Sequence, residues 1–271
     1  MRRMKVEIGN GEFHVGDCFD VMRELPDASV DMILCDLPYG TTQNKWDSVL
    51  PLDELWREYW RVCRGAVVLT AAQPFTTTLG SSQTDHLRYS LVWDKVRPVG
   101  HLMAKRRPMQ RHEDILVFSR STPPYFPQGL VPHGKVNRRT TSGSNYNKAG
   151  TENVAEFTGY PQSILEFGSE QRGKLHPTQK PVALFEYLIR TYTDEGMVVL
   201  DNTAGSGTSA VAAENAERRW ICIERDEDYA AKAMERIRQH VSGEVTAPKV
   251  RTPKRRSAPR EDSDHQASLF G

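Results

Sequence analysis

"MVVLDNTAGSGTSAVAAENAERRWICIE", residues 197–224, decides the fold. An apolar run ends in Asp201, the chain turns through Gly205 and Gly207, an alanine-rich stretch follows at 208–216, and a second apolar run ends in Glu224. The pattern is strand, tight turn, helix, strand. Near-continuous apolar strands belong in a parallel sheet covered on both faces. The two glycines permit a tight turn and close approach of a ligand to the backbone.

The alternation extends outward. Strands are predicted at 4–8 and 12–16 around a Gly-Asn-Gly turn, a helix at 18–25, a strand at 30–36, a loop at 40–50, a helix at 52–62 and a strand at 65–70. A helix at 74–82 and strands at 88–94 and 114–118 close this half. Beyond it, "PVALFEYLIRTYT" is an amphipathic helix, and a last helix covers 226–240. The expectation is an α/β, Rossmann-like fold, a mostly parallel twisted sheet with helices on both faces. Residues 120–175 are rich in Pro, Gly, Asn, Thr and Ser and are too long for a simple connection, so they read as an irregular functional insertion. From about 242 the composition predicts a disordered tail. The predicted parts are 1–119, 120–175, 176–241 and 242–271.

The chain has 271 residues, 38% of them hydrophobic, and a net charge of +1. Global charge therefore does not announce a nucleic-acid binder, although local clusters can. Cys18, Cys35, Cys63 and Cys222 form no C-x-x-C pair and read as reduced thiols rather than a zinc site or disulfide framework. No apolar run approaches membrane-spanning length, and the Arg-rich start lacks a signal-peptide core. The expectation is a soluble protein of the cytoplasm, with no membrane partner.

In such sheets ligands bind at the carboxyl ends of strands. Asp201 stands at one end, and Glu224, 23 residues on, is positioned for ribose hydroxyls or, failing that, for capping a helix. No lysine follows the glycines and no G-x-G-x-x-G is present, so neither a Walker loop nor a dinucleotide fingerprint fits. An acid before a short glycine turn suits a ligand with a positive end, a ribose and no phosphate, as in S-adenosylmethionine.

"DLPYG", residues 36–40, lies at another strand end. The Asp36 carboxylate and the Leu37 carbonyl, fixed by Pro38, are suited to accept both hydrogens of one amino group, with Tyr39 stacked on the ring that bears it. The plainer alternative is a turn with a buried tyrosine.

Together "DLPYG" and "DNTAGSGT" resemble the DNA amino-methyltransferases that modify adenine N6 or cytosine N4, in the β-type order with the catalytic motif first. "HPTQKP" (176–181), "GDC" (16–18) and "RPMQRHEDILVFSR" are similar to further segments of that family, the last to phage-type members. The resemblance covers about residues 10–240. It implies the S-adenosylmethionine-dependent methyltransferase fold with 120–175 as the target-recognition region. It departs from the family pattern at Leu37, where the family has Pro, and at Asn202-Thr203, where it has Pro-Phe.

Carried over residue by residue, the resemblance gives Asp36, Leu37, Pro38 and Tyr39 the target amine and base. Asp201, Ala204, Gly205, Gly207 and Thr208 wrap the methionine part of the donor, Glu224 takes the ribose and Asp17 reaches the donor's adenine. Thr178 and Lys180 meet the donor carboxylate or cap the following helix. The target base must leave the duplex to be reached. Positioning then carries the catalysis, with no metal and no covalent intermediate. Lys95, Arg106, Arg107 and Arg111 in the acid-free run 95–112 are expected on double-stranded DNA phosphates, or else form a solvated face. Arg138 and Arg139, with Asn137, Asn145, Tyr146 and Asn147, are the side chains for bases and backbone.

Asp at the first motif position implies adenine within this family, with cytosine N4 as the alternative. A non-catalytic DNA-binding protein on the same fold, or methylation of RNA or a protein glutamine, are the other readings. The resemblance implies a bacterial or phage-infected cell, a restriction-modification setting, and a monomer or homodimer. In the tail, 249–260 hold six basic residues and no acid. Gln266-Ala-Ser-Leu-Phe270 resembles the pentapeptide that docks into the bacterial sliding clamp, against the alternative of a chance apolar end.

Overall fold

The structure, a computed structural model, describes residues 4–40, 48–138, 152–169 and 179–243. It contains a nine-stranded sheet in the order β1-β2-β11-β10-β3-β4-β6-β5-β9 and a separate two-stranded sheet, β7-β8. The strands are β1 (Met4–Ile8), β2 (Gly11–Val15), β3 (Val30–Asp36), β4 (Cys63–Ala71), β5 (Leu87–Val99) and β6 (Gln110–Phe118). They continue with β7 (Val131–Arg138), β8 (Glu152–Thr158), β9 (Ile164–Glu166), β10 (Val198–Asp201) and β11 (Arg219–Glu224). The helices are α1 (Cys18–Met22), α2 (Leu52–Val62), α3 (Phe75–Ser81), α4 (Val182–Tyr192), α5 (Thr208–Asn215) and α6 (Glu227–Ser242).

Strands β2, β11, β10, β3 and β4 run parallel, while β4-β6, β5-β6 and β1-β2 are antiparallel. Because β3 is buried on both sides, alternate residues of "VDMILCD" feed two cores. Met32 and Leu34 pack with α4, α5 and α6. Ile33 and Cys35 pack with α1, α2 and α3. Helix α2 shows why its sequence is helical: Leu55, Trp56, Tyr59 and Val62 form one buried stripe. Helix α6 starts at Asp226, whose carboxylate accepts from the N–H groups of Asp228 and Tyr229, and stops at left-handed Gly243.

The expected fold stands, with three local differences. The predicted helix at 18–25 is one short helix, α1, because the chain tightens after Met22 into turns that carry it toward β3. Residues 95–112, read as a basic run between strands at 88–94 and 114–118, are the outer half of a long hairpin formed by β5 and β6. The segment 120–175 is not wholly irregular: it holds β7 and β8, and β9 adds a parallel strand beside β5. Strand β7 carries Pro132 and Gly134 within it and β9 has only three residues, so little periodic signal is left to read. All four cysteines are buried. Among the described residues, no helix is long and apolar enough to cross a membrane.

Candidate active site

At one edge of the sheet, the carboxyl ends of four neighbouring parallel strands each deliver an acid: Asp17 just past β2, Glu224 on β11, Asp201 on β10 and Asp36 on β3. Gly16 N–H donates to the Glu224 carbonyl at 2.9 Å, joining the first two ends. The glycine turn lies across them. Its Gly205 N–H donates to Glu224 Oε2 at 2.8 Å, and Ala204 N–H to the Ile223 carbonyl at 2.9 Å. Gly207 sits at φ 71°, and a Cβ there would lie 3.0 Å from Ile237 Cδ1, so glycine lets α6 pack against the turn.

Asp201 is enclosed within this turn. Its oxygens accept from Thr203 N–H at 3.0 Å and Ser209 Oγ–H at 2.5 Å. Burial pushes its carboxyl up to about 7, against the lowering effect of these donors. Its contacts are internal, so it braces the loop that carries Gly205. Burial also raises Glu224, which accepts from Asp226 N–H through its other oxygen at 2.8 Å. Asp17 caps α1 through Phe19 N–H at 2.9 Å.

Both residues of the Asn202-Thr203 departure from the family pattern have structural partners. Thr203 Oγ1 donates to the Asp36 backbone carbonyl at 3.2 Å, tying together motifs 167 residues apart. Asn202 Oδ1 accepts from Tyr59 O–H at 2.5 Å and Cys35 Sγ–H at 2.9 Å, while its buried Nδ2 has no hydrogen-bond partner among the described residues.

Asp36 is surrounded by donors. Its Oδ1 accepts from Tyr39 O–H at 2.7 Å and Thr70 Oγ1–H at 2.5 Å. Its Oδ2 accepts from Lys180 Nζ at 2.6 Å. Lys180 also stands 3.3 Å from Glu113, which pairs with Lys95 at 2.6 Å. The result is a row of alternating charge, Asp36–Lys180–Glu113–Lys95. Burial alone would lower Lys180, but the Asp36 and Glu113 carboxylates outweigh it and raise its pKa. Glu113 shows the converse: burial would raise it, and the Lys180 and Lys95 ammoniums hold it below the usual range. Tyr39 stacks on Phe75, ring centroids 5.4 Å apart, and Lys180 Nζ lies 5.6 Å from the Tyr39 centroid.

Several of the residues singled out in the sequence have partners within the protein. Lys180 pairs with Asp36 and Glu113, because a buried ammonium needs counter-charges. Lys95 is buried against Glu113, near the Trp93 ring. Arg111 forks onto Asp94 at 2.8 and 2.7 Å. Arg106 and Arg107 are exposed on the hairpin, as expected. Leu37 is buried in the core and Pro38 is half-buried. Thr208 Oγ1 donates to the Lys180 carbonyl at 3.4 Å, so the glycine turn touches the segment before α4. Thr178, Arg139, Asn145, Tyr146, Asn147 and Gln266–Phe270 lie outside the described residues, as do the side chains of Arg138 and Asn137. Sequence reasoning does not reach Glu113, Thr70, Phe75 or Thr203. The available signal for Glu113 is an acid pair, Glu113-Asp114, opening an otherwise apolar strand end.

The chain is similar to known proteins in sequence and in fold. The model of a DNA methylase family, named for N6 and N4 methyltransferases, matches residues 78–235. The type II methyltransferase M.HpaI of Haemophilus parainfluenzae is 28% identical over 237 residues, spanning 82% of this chain and 72% of that protein. Among solved structures, the M1.HpyAVI–S-adenosylmethionine complex aligns with TM-score 0.57 at 23% identity, over 83% of this chain and 99% of that one. The cytosine-N4-specific PvuII DNA methyltransferase aligns with TM-score 0.60 at 16% identity, over 87% and 92%.

Proposed function

Because the chain belongs to the N6/N4 DNA methylase family, we propose that it methylates the exocyclic amine of one base at a specific DNA site, adenine N6 in preference to cytosine N4. The donor of this family is S-adenosylmethionine, and the strand-end residues fit it. Glu224 uses each oxygen once and keeps lone pairs for ribose hydroxyls. A row of carboxylates suits a cationic ligand, and the turn carrying Gly205 and Gly207 leaves its backbone open to close approach. When bound, S-adenosylmethionine supplies an electrophilic methyl on a sulfonium. Asp17, Ala204, Gly205, Gly207, Thr208 and Glu224 would hold it, with Asp201 bracing the turn.

The observation that carries the catalytic reading is the Thr203–Asp36 contact, which sets the amine acceptor directly beside the donor turn. Two of the carboxylate's lone pairs, both on Oδ1, are taken by Tyr39 and Thr70, and one on Oδ2 by Lys180. The amine would enter at the remaining lone pair on Oδ2. There Asp36 orients the nitrogen, balances the positive charge that develops on it, and accepts the proton released after the methyl is in place. Asp36 need not be a strong base, because the nitrogen becomes acidic once methylated. Tyr39, backed by Phe75, is the stacking surface for the base, with the Lys180 side chain yielding its place near the ring. Such stacking is worth roughly 1–3 kcal/mol per base and offsets part of the cost of extrusion.

We further read 120–175, with Arg138 and Arg139, as the target-recognition region, and Arg106 and Arg107 as phosphate contacts. Gln266–Phe270 is read as a tether to the sliding clamp. Nucleoside mass spectrometry and long-read sequencing of DNA from cells expressing the protein test the central reading. N6-methyladenine at one recurrent sequence is expected. N4-methylcytosine would select the alternative base, and unmodified DNA would remove the enzyme reading.

A further inference from the structure

The hairpin of β5 and β6 passes directly beside the catalytic acid. Trp93 pairs with Glu113 across it, and Glu113 Oε2 lies 3.4 Å from Tyr39 O–H. Beyond that point the hairpin leaves the body of the protein: every residue from 96 to 109 is exposed. Its base is strained. Val96 adopts φ 67°, a conformation unfavourable for a β-branched residue, and the pairing register jumps between Asp94 and Val99. The bulge is held by one carboxylate. Asp94 Oδ1 accepts from Val96 N–H at 2.7 Å, and Arg111 forks onto both Asp94 oxygens. Strain held in this way re-aims the strands that follow it.

The tip is itself folded. Gly100 at φ 87° leads into a short 3₁₀ turn, His101–Met103, whose end is tied by Arg106 and Arg107 N–H donating to the Met103 carbonyl at 2.8 and 3.0 Å. This turn displays Leu102, 88% exposed, the most exposed large apolar residue among those described, next to Met103. No acid occurs between Asp94 and Glu113, while Arg97, Lys105, Arg106 and Arg107 surround the tip. A bare leucine on a projection whose charged side chains are all basic gains nothing from this protein's own core. Its charge environment fits a polyanion whose interior is apolar.

We propose that the hairpin tip enters the duplex at the target site, with Leu102 wedged into the base stack to fill the gap left by the extruded base. This rests on the methyltransferase reading above. Basic side chains hold the phosphates on either side, and the leucine replaces stacking that extrusion removes, as apolar wedges do in other DNA-bending proteins. The base of the same hairpin reaches the surroundings of Asp36 through Glu113, which contacts Tyr39 and Lys180, so wedge and pocket would act on one nucleotide.

The test uses a duplex carrying the site mapped by sequencing, and a second duplex lacking the base opposite the target, in which extrusion is already cheap. Leu102→Ala should slow single-turnover methylation of the paired duplex by about tenfold, a loss commensurate with forfeited stacking, and slow the abasic-partner duplex by less than about threefold. Leu102→Phe should retain the wild-type rate on both. An equal loss on the two duplexes, or no loss on either, would overturn the wedge while leaving the methyltransferase reading intact. A wild-type protein that methylates neither duplex would instead overturn that underlying reading.

Discussion

Lys180 Nζ lies 2.6 Å from Asp36 Oδ2, so the residue proposed to receive the target amine already holds a buried cation. An ammonium at this place would repel the positive charge that methylation develops on the target nitrogen. Glu113, 3.3 Å from the same Nζ, supplies the compensating charge and a second position for Lys180. Glu113→Gln is therefore expected to lower kcat by about 10- to 100-fold, in the range for removing one electrostatic partner, while donor affinity holds. Glu113→Asp should recover part of the rate. Steady-state kinetics with calorimetric donor titration separates this from a general loss of folding, which would move both quantities.

Asp36→Asn preserves shape and removes the charge. Turnover should fall at least ~100-fold, with S-adenosylmethionine binding retained. Near-normal methylation by the purified variant would refute the role given to the motif at 36–40.

Asp201 links the glycine turn to pH. Burial raises its carboxyl from 3.8 to about 7, so between those values the folded protein holds a proton that the unfolded chain has released. The resulting stabilisation is complete below the unfolded value and is lost as pH rises through about 7. Asp201→Asn removes this dependence, so the variant should gain stability relative to wild type between pH 5 and pH 8. Urea midpoints at the two pH values measure it, and an unchanged difference would contradict the buried, protonating carboxyl.

Gly207→Ala should destabilise by about 1–3 kcal/mol, the usual cost of a side chain at such a backbone angle. The added methyl also meets Ile237 of α6, so donor binding should weaken in parallel with the thermal midpoint.

Arg106→Ala and Arg107→Ala test the hairpin's charge separately from its apolar tip. Binding should weaken alike on all sequences, and the slope of log affinity against log salt should fall by roughly 1 for each phosphate left without its arginine. An altered methylation site with an unchanged slope would put these arginines on base edges.

Much of the architecture is legible in the sequence because β3, β10 and β11 carry near-continuous apolar runs and the acids at their ends are fixed by chain order. Asp36, Glu224 and the glycine turn follow directly. Glu113 does not, because its importance comes from β6 lying beside β4 in the sheet, and nothing local to residue 113 states that. The partners of Lys95 and Lys180 are hidden for a related reason: sequence gives the sign of a charge but not the counter-charge that folding brings to it. The segment containing β7, β8 and β9 is hard to read because Pro132 and Gly134 interrupt β7 and β9 is only three residues long.

The neighbour relation between β3 and β10 also bears on how the protein is made. Residues joined by the Thr203–Asp36 contact are 167 positions apart, so one flank of β3 stays unpaired while the ribosome completes the intervening chain, on the order of ten seconds. During that interval the nascent protein displays an apolar strand edge of the kind that invites intermolecular pairing. Yield in cells should therefore depend on translation speed and holdase supply more than the stability of the finished fold suggests. Slow codons placed between β6 and α4 would prolong the vulnerable state.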